Sequence, residues 1–192
     1  MSYAFFAYLK FILKSTNQHG VHSPFVYDLV TKCFYDKKKY PEYNAINNFI
    51  SEKEISTKQA QLLFRVGRYL NFKNALFFKD RNSEITKTLE MANAEINTFE
   101  VSGYYSGNQK SDLIYFNNID VPYFQKQIEA LLKNAHNDSL LLIQGIHSSK
   151  TAQVYWEHVK NHPKVTVTID TFAHGFVFFR TEQAKEHFVI RV

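Results

Sequence analysis

The sequence predicts an α/β protein: a mostly parallel sheet covered by helices on both faces, finished by a C-terminal antiparallel hairpin and preceded by an N-terminal helical lobe. Three observations predict it. From residue 74 onward short apolar runs alternate with helical stretches, the pattern of strand and crossover. The run Ser139 to Ile143 is apolar without alternation, as a strand buried on both faces requires. Before residue 74 the apolar residues recur only at helical spacing. At 192 residues the chain is long enough to bury a real core, and its length favours one globular unit.

Taken in order, Tyr3 to Leu13 (YAFFAYLKFIL) reads as a helix with Lys10 and Lys14 on one face and Phe5, Phe6, Leu9 and Leu13 on much of the rest. Two readings stay open for it, a helix docked on its own domain or one that meets a membrane surface or a partner. Ser23 is a helix N-cap with Pro24 as the first helical residue, and Phe25, Val26, Leu29, Val30 and Cys33 follow at helical spacing, so Cys33 is core filler. Asp36 to Ile46, polar and holding Pro41, reads as a loop. Ser56-Thr57-Lys58-Gln59 is a capping box opening a helix through Leu63, Val66 and Leu70. A boundary within residues 36 to 55 divides the chain into an N-terminal helical lobe, 1 to 55, and an α/β domain, 56 to 192.

The α/β part reads as a strand at Ala75 to Phe78, a helix capped by Ser83, strands at Ile96 to Val101 and Leu113 to Phe116, and a helix with Pro122 in its first turn. The Ser139 strand and a helix at Thr151 to Lys160 come next. Val165 to Ile169 and Phe176 to Phe179 form strands joined by a tight connection containing Gly175, and Phe188 to Val192 is a last strand.

Composition narrows the function classes. The six glycines form no G-x-G, so neither a Walker A loop nor a dinucleotide fingerprint can be placed. A single cysteine, Cys33, permits no intrachain disulfide and suits a reduced, cytoplasmic setting. The first apolar stretch is too short to span a bilayer, has no basic residue before it and is followed by no cleavage site. The net charge of +5 is scattered, and its one run, Lys37-Lys38-Lys39, suits a solvated loop better than a nucleic-acid surface. His19 and His22 make an H-x-x-H, but one cysteine and no H-E-x-x-H leave a zinc set unfilled.

HSPFVYDLV, QLLFRVGRYL and above all HNDSLLLIQGIHSSKTAQVYWEHVKNHPKVTVTIDTFAHGFVFFR resemble a bacterial family of class I S-adenosylmethionine (SAM)-dependent methyltransferases. The resemblance implies a Rossmann-like sheet closed by an antiparallel strand. In that family the first strand ends in an acid and a turn of the form E-x-G-x-x-x-G, whose bare backbone lets the cofactor's methionine part lie close. Laid on NALFFKDRNSEIT, the acid position is Phe77 and the glycine positions are Lys79 and Ser83. Cβ atoms then stand where backbone must approach, and a phenyl ring accepts no hydrogen bond from an amino group. Asp80 is the one carboxylate able to replace the missing acid, and it is also an ordinary residue for a helix start.

Glu100 stands where the family places the carboxylate that holds the ribose hydroxyls, and it reads equally as a surface acid at a strand end. The family's later strands end in an FIDG-like segment and in an acidic pair that holds a metal in catechol-type relatives. Here those positions are Tyr115-Phe116-Asn117-Asn118 and Ile143-Gln144-Gly145, whose neutral oxygens predict no catalytic metal. Only the ten residues from Ser102 to Ser111 separate two strands between which the family fits a strand and two helices, so a wall of the adenine pocket is missing. The flanking strands are then joined by an irregular link or even paired antiparallel. His147, after the Ser139 strand, is the single candidate for a polar group in the cleft, while Ser148 and Ser149 suit the cap of the next helix. Tyr104 and Tyr105 in the shortened link could stack on a base or a partner, or pack over the gap.

The resemblance implies a trimmed, degenerate methyltransferase with no cofactor expected and a non-catalytic binding or regulatory role, as a homodimer or beside an intact methyltransferase relative. The alternative is an active SAM-dependent methyltransferase with an atypical site built from Asp80, Glu100, Asn117 and His147. A third class, an RNA-binding module, rests only on charge and aromatic content.

Overall fold

The structure, a computed structural model, describes residues 3–53, 55–78, 83–101, 107, 109–119 and 124–192, the side chain of Ser83 excepted. Lys79, Asp80, Tyr104, Tyr105 and Pro122 lie outside the described residues.

Helices α1 (Tyr3–Lys14), α2 (Pro24–Leu29), α3 (Glu42–Phe49) and α4 (Thr57–Leu70) precede the first strand. Then come β1 (Asn74–Phe78), α5 (Ser83–Ala92), β2 (Asn97–Val101), β3 (Leu113–Phe116), α6 (Phe124–Asn134), β4 (Leu140–Gln144), α7 (Lys150–Asn161), β5 (Val167–Asp170), β6 (His174–Phe178) and β7 (Glu186–Val189). The local signals act as physics requires. Ser23 accepts from the Val26 N–H and Ser149 from the Ala152 N–H, each satisfying a donor left open at a helix start. The Ser56 hydroxyl accepts from the Gln59 N–H at 3.3 Å while the Gln59 amide accepts from the Ser56 N–H at 2.8 Å, closing the capping box.

The seven strands run in the order β2-β1-β3-β4-β6-β5-β7, and β6 alone is reversed. β2 and β3 lie on opposite sides of β1, both parallel to it, so they do not pair with each other and the antiparallel option is excluded. β7 lies parallel to β5 at the far edge rather than in the hairpin, and Thr16 bridges to Ile190 beyond it.

Alternation along each strand sorts the core into two layers. One holds Phe77, Tyr115, Leu142, Phe176 and Ile169 against α2 to α5, and the other holds Phe78, Phe116, Ile143 and Val177 against α6 and α7. Residues 21 to 55 share the first layer with the sheet: the Phe34 and Phe176 rings lie 5.0 Å apart, as do Phe25 and Phe178.

Three local expectations need correction. The segment read as a loop contains α3, because Tyr40 and Tyr43 pack on Phe64, with centroids at 5.3 and 5.7 Å, and carry Ile46 into the core. Gly175 belongs to β6, and the turn is Thr171 to Ala173 with Phe172 at φ 69°. The glycine is there for space: a Cβ would stand 2.6 Å from the Trp156 ring. The last strand begins at Glu186, not Phe188, since pairing with β5 sets its register.

Candidate functional site

The strand order reverses between β1 and β3, and open α/β sheets take ligands outside the carboxyl ends of strands at such a point. Aromatic rings fill both faces there. Phe77, at the acid position, is buried and packs 5.7 Å from Tyr115. On the other face Phe78 stacks on Phe116 at 5.5 Å, and Phe116 meets Phe124 edge-on at 4.9 Å.

The expected site residues are spread along this carboxyl edge. Glu100 is on β2, in register with Phe77, and lines a cavity of about 340 Å³ with Lys87 and Glu90 of α5. Asn117 directly follows β3, half-buried. His147 follows β4, three strands from β2, which is roughly 14 Å of sheet. Among the described residues Glu100, Asn117 and His147 are therefore not one catalytic cluster, and Asp80 lies outside them. Nor do three or more His, Cys, Asp and Glu residues gather among the described residues in a way that would hold a metal.

His147 has a partner that sequence reasoning did not supply. Gly145, at φ 74°, turns the chain out of β4, and His147 Nε2 comes within 2.7 Å of Asp170 Oδ2 at the end of β5. Its Nδ1 lies 3.1 Å from the Gln153 amide nitrogen, an arrangement satisfied by a neutral ring donating from Nε2 and accepting at Nδ1. The other Asp170 oxygen accepts from the Phe172 N–H at 2.8 Å, and the Phe172 ring stacks on His147 at 5.1 Å and 12°. Both ring nitrogens are engaged, and the pair orders the β5–β6 turn.

A polar strip on the α4 side of the same edge was also missed. The Tyr115 hydroxyl donates to Gln144 Oε1 at 2.5 Å, and Gln144 is in register with His174. His174 is buried with neither ring nitrogen hydrogen-bonded, and desolvation pushes its pKa down to about 4, so it is neutral near pH 7. Nothing in TFAHGFVFF marks that histidine as different from a surface residue at a turn.

Compared with known proteins, the sequence matches no family model, and no curated protein is significantly similar to it. Solved structures do match. The SAH-bound methyltransferase PaMTH1 from Podospora anserina aligns at a TM-score of 0.56 with 8% identity, covering 83% of this chain and 97% of that one. The chain has the class I methyltransferase fold. A putative caffeoyl-CoA O-methyltransferase from Staphylococcus aureus aligns at a TM-score of 0.56 and 12% identity, over 72% of this chain and 93% of its own. Cofactor-bound Rv0187 from MTB gives a TM-score of 0.56 and 12% identity, over 74% and 91%. At such identities the likeness is one of fold alone. This methyltransferase fold is a shortened one, whose described sheet ends at β2 with that strand's side chains largely exposed.

Proposed function

We propose that the chain uses the methyltransferase fold as a scaffold and acts as a non-catalytic binding or regulatory protein, working through a second copy or an intact methyltransferase relative. One observation carries this reading: the switch point between β1 and β3 is packed by Phe77 on Tyr115 and Phe78 on Phe116. SAM brings an ammonium, a sulfonium and two ribose hydroxyls, which call for acceptors and close backbone. Phenyl rings at this place supply neither, which supports a site that does not hold the cofactor. Isothermal titration calorimetry with SAM and S-adenosylhomocysteine tests the proposal. No binding heat is expected, and micromolar affinity that Glu100→Ala abolishes would overturn it.

A second reading, an active SAM-dependent methyltransferase with an atypical site, is favoured by one feature. Glu100 borders the cavity between α5 and β2, where a carboxylate could meet ribose hydroxyls. The same titration separates the two readings.

A further inference from the structure

We infer that the outward face of α1 seats this protein on an anionic phospholipid surface, a role that does not depend on whether the cofactor binds. The helix is apolar on two sides. Its inner side buries Ala7 and Phe11, with Phe11 5.4 Å and Tyr8 5.0 Å from the Phe172 ring, so α1 is fixed to the carboxyl edge of the sheet. At 3.6 residues per turn Phe5, Phe6, Leu9 and Leu13 then face away, and they are 47, 52, 44 and 87% exposed. Soluble proteins seldom leave such a contiguous apolar stripe in water unless something covers it.

Charge identifies the cover. No carboxylate occurs between Tyr3 and Tyr27, while Lys10 and Lys14 border the stripe on its α7 side. α7 adds Lys150 and the exposed Val154 along the same groove, and the neighbouring Glu157 is held 2.7 Å from Lys160. Lysines at the margin of an apolar ridge can bury their stems and place the ammonium groups among phosphates. A second copy laid face to face on α1 would set Lys10 and Lys14 of both chains together with no α1 carboxylate to pair them.

Flotation of the full chain with vesicles of phosphatidylcholine plus phosphatidylglycerol, against phosphatidylcholine alone, tests the inference. Binding is expected to the anionic vesicles, to weaken with added salt, and to drop at least ~10-fold without phosphatidylglycerol. Leu9→Ser with Leu13→Ser should abolish it, and Lys10→Glu with Lys14→Glu should remove the preference for anionic lipid, both with unchanged circular dichroism and melting. These residues are exposed, so folding is expected to survive. The inference is overturned if neither vesicle binds, or if the serine variant binds like the parent. Sedimentation equilibrium showing a dimer that the serine variant breaks, with no vesicle binding, would assign the face to a second copy instead.

Discussion

His174 has neither ring nitrogen hydrogen-bonded, and burial holds its pKa near 4, whereas in the unfolded chain the same ring titrates near 6.5. Between those values the unfolded state binds a proton that the native state refuses, so stability falls as pH drops through the window, by up to about 3 kcal/mol. Urea titrations at neutral and acid pH should show this slope, and His174→Phe should flatten it without loss of stability at neutral pH. Retention of the full slope in the variant would assign the effect to other groups. At Gly175 the limit is steric: Gly175→Ala drives a methyl into Trp156, and a loss of about 1–3 kcal/mol with a changed tryptophan emission is expected. Trp156 is the sole tryptophan, so the emission reports the surroundings of that ring. Neither demand is legible in the sequence. A glycine reads as a turn, and a histidine reads as polar surface, until the neighbouring strand is known.

At the scale of elements, legibility followed how local the determinants are. α4 shows its capping box and apolar stripe within fifteen consecutive residues, Ser56 to Leu70, and β4 shows an unbroken apolar run. α3 is rich in asparagine and is held by Phe64 from another helix, information that no short window contains. The same distinction governs the site. Glu100 and His147 were legible because strand ends are, but Asp170 lies 23 residues from His147 and becomes its partner only when β4 and β5 are brought to either side of β6. That pair also secures α1, since Phe172 stacks on His147 and packs against Phe11 and Tyr8. Asp170→Ala removes the acceptor of two hydrogen bonds and is expected to cost about 2 kcal/mol in urea titrations. Limited proteolysis should at the same time cut the variant earlier around α1, and an unchanged digestion pattern would show that α1 is held by other contacts.

For the molecule as a whole, the alternation of strands and helices foretold the mostly parallel sheet and its closing hairpin, and the resemblance agreed with both. The place of β7 in the sheet, on which its own residues are silent, is set by β5, and Thr16 bridges to Ile190 just beyond it. No described helix is long and apolar enough to cross a membrane. Cys33 gives the molecule a clock of its own. The thiol is buried beneath the N-terminal helices, and desolvation pushes its pKa up to about 12, so a thiol reagent cannot attack it in the closed protein. Each labelling event therefore counts one opening. With residues 21 to 55 and the sheet sharing one core layer, the opening free energy measured by labelling is expected to equal the global value from urea. Faster labelling would time a lobe that lifts away by itself.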